Sequence, residues 1–285
     1  MSWYADEDEE WEEDEQDLDP DLGVGGLAQP SLALGLVVAA PLFLAYEWGL
    51  PAAAKVMGRN TSEMMLSRGL AGLGEREHLA RWGIIMILLV VALVRVRGLD
   101  RPMNRPLGQA IWRTGLEGVL AAILLGPLLM LLISWFDVAP LDFQLSTGSL
   151  PRGPTLGVAA RVLGGALWEE LAFRVAIYAL LYLFARRLVT FFGVGRGPAH
   201  LVADLCAILF SSVAFAAFHL EVFTRWLGVG GEVYDGPTFL WRLLAGVLFA
   251  GLYRWRGLGV VAWAHGLFNL AVLLGADPSV FRGSF

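Results

Sequence analysis

The stretch Ala166–Phe184 reads ALWEELAFRVAIYALLYLF. It is apolar nearly throughout, yet Glu169, Glu170 and Arg174 sit inside it. An ionisable side chain at the centre of a bilayer costs roughly 2.5–3.5 kcal/mol on insertion scales, so such groups turn toward a bundle interior and find partners there. Glu170 and Arg174 are four residues apart, share a helix face and can pair. Glu169 lies ~100° further round the same helix, so its partner has to come from another one.

The rest of the chain supports a membrane setting for this stretch. Hydrophobic residues make up 56% and charged residues 17% of the 285 positions, and the mean hydropathy is +0.60. Soluble domains carry about 25% charged residues. The expected class is therefore all-α, a polytopic transmembrane helix bundle. About 20 apolar residues are needed to cross ~30 Å of hydrocarbon. Seven segments qualify, at about 31–50, 80–97, 110–136, 156–188, 200–220, 237–254 and 257–275. Gly126-Pro127 predicts a kink in the third. The fourth is long enough to tilt or project from the bilayer. MMLSRGLAGL, within residues 51–79, reads as an interfacial helix. No strand-period alternation and no internal repeat is visible.

The net charge of -6 sums two unlike parts. Residues 1–21 hold twelve acids and no base, which leaves 15 acids against 21 bases in the remainder. Residues 1–30 read as an acidic disordered tail, either a solubilising extension or a docking segment for a basic partner. The basic body suits loops beside anionic lipid. Cys206 is the single cysteine and reads as a packing residue, since it can form neither an internal disulfide nor a metal cluster. The acidic N-terminus lacks the basic region of a cleavable signal peptide, so the first apolar segment is expected to stay as an anchor. Arg95, Arg97, Arg101, Arg105, Arg186, Arg187, Arg196, Arg254 and Arg256 cluster at connections that fall on one side of a seven-span topology. The positive-inside rule then puts the N-terminus in the cytoplasm. Lys55, Arg59, Arg68, Arg76 and Arg81 conflict with that orientation, because they fall in or beside the first loop on the opposite side.

Two histidines complete the polar inventory. His219 ends the fifth segment in FAAFH, and His265 lies in the seventh in HGLFN, with Asn269 four residues later on the same face. His78 and His200 fall near membrane edges. Each piece alone has a plainer reading: a structural Glu170–Arg174 salt bridge, an interfacial His219, an interhelical hydrogen bond through His265 or Asn269. Together, a carboxylate, two imidazoles and an amide converging in apolar surroundings would hold and polarise one water. The carboxylate would act as general base, and the other groups would orient the water or stabilise an oxyanion.

Three ordered motifs carry a resemblance. EELAFR at Glu169–Arg174, FAAFH at Phe215–His219 and HGLFN at His265–Asn269 resemble the EExxxR, FxxxH and HxxxN motifs of the CAAX-protease and bacteriocin-processing (CPBP) family. The Gly-rich approach LLAGVLFAGLYRWRGLGVVAWAH also looks like that family's lead into its last motif. The chain departs from the usual pattern at Val175, where Gly normally follows the Arg. The resemblance covers about 155–275. It divides the chain into the tail 1–30, N-terminal transmembrane helices and loops over 31–154, a CPBP-like protease core over 155–275, and a short tail 276–285.

The resemblance implies an intramembrane endopeptidase similar to the Ras-converting CAAX endopeptidase, in a prokaryotic cytoplasmic membrane. It implies Glu169 as the base that activates water and Glu170 as its support. Arg174 would stabilise the acids or position substrate, and His219, His265 and Asn269 would hold the water and the tetrahedral intermediate. No cofactor is required in this reading; zinc on Glu169, His219 and His265 is the minority alternative, lacking HExxH spacing. The expected partners are membrane lipid and a peptide or membrane-anchored protein, with no nucleic acid. A catalytically silent scaffold of the same fold and a proton-coupled transporter are the other classes. The first would be marked by loss of a motif residue and the second by an inverted repeat of broken helices, and the sequence displays neither.

Overall fold

The computed structural model describes residues 31–53, 61–98, 106–136, 155–228 and 231–274. The expected tails 1–30 and 276–285, together with Lys55, Arg59, Arg101 and Arg105, lie outside these residues. The described chain is a helix bundle. Its elements are α1 (Leu32–Ala53), α2 (Thr61–Leu70), a 3-10 turn (Ala71–Arg76), α3 (Glu77–Gly98), α4 (Leu107–Ser134) and α5 (Leu156–Glu170). A π-helical stretch (Leu171–Tyr178), α6 (Ala179–Phe191), α7 (Arg196–Ala217), a short α8 (Glu221–Thr224) and α9 (Gly236–Leu274) follow. Among the described residues the sheet content is one isolated parallel bridge, Leu220 to Glu232.

Helix starts follow local chemistry. The first free amides of a helix need an acceptor, and Ser, Thr and Asp side chains supply it. Ser31 Oγ takes the Leu34 amide at 3.2 Å, Thr155 Oγ1 takes Val158 at 3.3 Å, and Asp235 Oδ2 takes Thr238 at 3.0 Å. α5, the π stretch and α6 run on as one rod over the expected fourth segment. α4 stays helical through Pro127.

α9 covers the two last expected spans in one element. Gly257, at φ 76° and ψ −179°, interrupts it with a backbone conformation that side-chain-bearing residues rarely adopt. A straight helix would hold Trp241 and Phe268 ~40 Å apart at 1.5 Å per residue. Their rings instead lie 6.5 Å apart, and Phe249 stacks on His265 at 4.1 Å. The two halves therefore fold back side by side, as two adjacent spans would.

α9 packs against α1, α4, α5 and α7, and α5 packs in turn against α1 and α9. Small residues allow the backbones to close in, which is how helices associate where lipid removes the hydrophobic drive. A Cβ at Gly164 would lie 2.3 Å from the Leu42 carbonyl oxygen of α1, and one at Gly266 of α9 would lie 2.5 Å from the Leu163 carbonyl oxygen of α5. The outward faces of α3 and α4 are apolar and exposed, with Ile87, Val94, Ile123 and Leu124 among them. Five helical stretches are long and apolar enough to cross a membrane by length and composition: Leu32–Pro51, Thr61–Gly98, Leu107–Ser134, Arg196–Ala217 and Gly236–Leu273.

α2 is fastened to the bundle. Its Glu63 is fully buried, accepting from Arg81 Nη1 at 2.6 Å, Ser67 Oγ at 3.1 Å and Tyr46 OH at 3.2 Å. Arg81 also donates through Nη2 to Glu47 Oε2 at 2.9 Å. One buried cluster thus ties α1, α2 and α3. Arg81 is spent inside the bundle and carries no weight as a loop charge.

Candidate active site

Glu169 and Glu170 close the last turn of α5, just where the backbone passes into π geometry. π segments are rare and recur at functional sites, because the wider turn re-aims the side chains around it. Glu170 is fully buried. Its Oε2 lies 3.2 Å from Arg174 Nε and its Oε1 lies 2.7 Å from His265 Nδ1. Glu169 approaches the other edge of the same ring, with Oε2 3.6 Å from His265 Nε2. The expected division, with Glu170 for Arg174 and Glu169 for the histidines, is therefore redrawn. Both acids face His265, and Glu170 also holds the arginine. Adjacent acids can share one imidazole because its two nitrogens lie on different edges of the ring.

Gly266 makes this meeting possible. The close approach of α9 to the α5 backbone next to His265 needs a residue without a side chain. His265 is fixed from behind by Phe249, stacked at an interplanar angle of 24°, and at its edge by Phe215, with centroids 5.9 Å apart.

Arg174 is wholly buried. Its guanidinium lies 4.8 Å from the Phe215 ring centroid, 5.7 Å from that of Phe249 and 6.0 Å from that of Phe173, and Nη2 donates to the Gly246 carbonyl at 3.2 Å. A cation is attracted to the face of an aromatic ring, more strongly when water is excluded. This aromatic box lets a charged side chain sit in the core. Its members were in view in the sequence, in EELAFR, FAAFH and the Gly-rich approach, but nothing in their spacing showed that they converge on Arg174.

His219 follows the end of α7 and shares a contact of 2.8 Å between Nδ1 and the Phe215 carbonyl oxygen. A carbonyl can only accept, so Nδ1 carries the proton and Nε2 is the free edge. The next residues are pinned by backbone bonds: Glu232 N donates to His219 O at 2.9 Å and Glu221 N to Glu232 O at 2.8 Å. Asn269 lies one turn beyond His265, half-buried, and its side chain makes no hydrogen bond to another described residue.

A small, partly open cleft exposes part of this group. It is lined by Glu169, Phe173, Phe218 and His219, and by Thr61 and Ser62 of α2. Thr61 and Ser62 belong to no motif; the only sequence signal near them is the amphipathic run that follows. Among the described residues, no three His, Cys, Asp or Glu side chains are grouped to hold a metal ion.

Residues 151–271 match the family model described as type II CAAX prenyl endopeptidase Rce1-like. No curated protein and no solved structure matches the chain. The bundle and this match together define an integral membrane protein carrying an intramembrane endopeptidase of the CAAX type. The match supports a CAAX-protease assignment for that span, and all three motifs lie within it.

Proposed function

We propose that the protein hydrolyses a peptide bond of a membrane-associated protein or peptide precursor with a water activated by Glu169. The observation that carries this reading is that Glu169, alone of the two acids, lines the cleft beside His219, while Glu170 stays wholly buried behind it.

The proposed roles draw on that geometry. Glu169 takes a proton from water, and the water oxygen bonds to the scissile carbonyl carbon. His219, through its unprotonated Nε2, accepts the water's other hydrogen and aims its oxygen. When the C–N bond breaks, the protonated Glu169 returns its proton to the leaving amine. Glu170 orients His265 and offsets the charge of Arg174, and His265 fixes the position of Glu169. Asn269 lies one helical turn from His265, where its amide would bind substrate.

The purified protein with Glu169→Gln should lose about 10²–10⁴-fold in kcat, the usual share of a general base. Comparison of the membrane proteomes of a null strain, wild type and Glu169→Ala identifies substrates. A substrate processed equally by Glu169→Ala overturns the role of this carboxylate. A chelator should leave activity intact, and loss restored by zinc would move the mechanism to the metal class.

A further inference from the structure

We propose that Arg242 is a positioning residue for the proteolytic reaction, holding His219 in place through Glu232. This rests on the endopeptidase reading above, in which His219 aims the attacking water, and adds to it two residues that belong to none of the three motifs.

His219 lies two residues past the end of α7, where the helical ladder no longer supplies a partner for its carbonyl. The Glu232 amide takes that carbonyl at 2.9 Å, and the Glu221 amide bonds back to the Glu232 carbonyl at 2.8 Å. These bonds make the parallel bridge between Leu220 and Glu232. The two strands run so close that a Cβ on Gly231 would lie 2.5 Å from the Glu221 nitrogen. Glu232 is exposed, however, and backbone bonds in an exposed connection open readily.

The side chain of Glu232 supplies the missing hold. Its Oε2 accepts from Arg242 Nε at 3.0 Å, and its Oε1 accepts from Nη2 of the same guanidinium. A two-point pair of this kind fixes orientation as well as distance. The neighbouring Arg225–Glu221 pair differs: it is a single contact from an exposed arginine, of the sort that contributes little. Arg242 in turn stands on a firm base. It lies near the start of α9, where Trp241 and Ala245 are buried in one cluster with Leu125, Leu129 and Ile133 of α4. Asp235 caps that helix by accepting from the Thr238 amide and hydroxyl. Contacts thus run from α4 and α9 through Arg242 and Glu232 to the backbone of His219, whose side chain lines the cleft beside Glu169. Glu232 joins the two ends because its backbone serves His219 while its carboxylate serves Arg242.

The test uses the full-length purified protein in detergent micelles. An internally quenched peptide ending in a prenylated cysteine motif is the probe, and amide hydrogen exchange over residues 216–224 is the second readout. Arg242→Gln and Glu232→Gln should each lower kcat about 10-fold to 100-fold, the scale of a displacement approaching 1 Å, with KM nearly unchanged. Exchange over 216–224 should quicken in both. The double variant should lose no more than either single one, because all three break the same link. Exchanging the partners, Arg242→Glu with Glu232→Arg, should regain much of the rate. Arg225→Gln, which removes the exposed pair of the same connection, should keep the wild-type kcat. Wild-type kcat and exchange in Arg242→Gln would overturn the inference, and so would a double variant whose loss is the product of the two single losses. If Glu169→Gln cleaves as wild type does, the endopeptidase reading itself fails, while the exchange measurement still decides whether Arg242 holds His219.

Discussion

Arg174 shows how a charge survives in the core of this bundle. Its carboxylate partner, a backbone carbonyl and three aromatic rings replace the water it has lost. Breaking a buried pair leaves one charge without compensation and costs about 3–5 kcal/mol. Arg174→Leu should therefore lower the unfolding midpoint sharply in detergent, because Glu170 is left with His265 alone. The pairing of Glu170 with Arg174 was legible from four-residue spacing. The double grip on His265 was not. Helical geometry separates adjacent residues by ~100°, and only the placement of an imidazole between them brings both to one target. Asn269 illustrates the opposite case: its motif position was plain, but no side-chain bond to another described residue accompanies it.

At the level of elements, the seven segments were readable because apolar length is a strong signal. What length could not show was how they meet. Gly266 decides where α9 crosses α5, and a Cβ there would collide with backbone rather than with a movable side chain. Gly266→Val should cost about 1–3 kcal/mol through overpacking. Displacing His265 by ~1 Å should cost on the order of 100-fold in rate, measurable as a fall in kcat beyond the fall in stability. The start of α9 offers a milder test. The Thr238 hydroxyl and amide hold the Asp235 carboxyl below the usual carboxylate range. Its folded pKa is thus depressed, so its contribution is present above about pH 4 and fades as pH falls through the folded value. Asp235→Ala should lower stability by about 0.5–1 kcal/mol at neutral pH, at the modest end for a cap because the group is exposed. The difference from wild type should shrink in acid.

For the molecule as a whole, two exposed tryptophans mark the membrane. Trp112 and Trp135 lie near the two ends of α4, ~35 Å apart at 1.5 Å per residue. That spacing suits rings seated at opposite interfaces of a ~30 Å hydrocarbon layer. The basic residues are distributed less simply than their sequence positions imply. Arg254 pairs with Asp204 and Arg256 with Glu117, whereas Arg95, Arg186 and Arg187 stay exposed. With Arg81 buried as well, the conflict over the first loop loses one member, and we keep the cytoplasmic N-terminus as our proposal. It puts the cleft toward the outer face. A cysteine at Gly195, in a Cys206→Ser background, should then react with a membrane-impermeant reagent only after the membrane is opened; labelling of intact cells reverses the orientation. Ser149, its natural counterpart on the other face, lies outside the described residues. The fold-back of α9 also bears on the order in which the protein becomes active. Glu170 emerges 95 residues before His265 and Arg174 emerges 72 before Gly246. At about 5–20 residues per second, the acids wait roughly 5–20 s for their imidazole. Until the last span enters the membrane the nascent protease is without its assembled site, a built-in latency that requires no separate inhibitor.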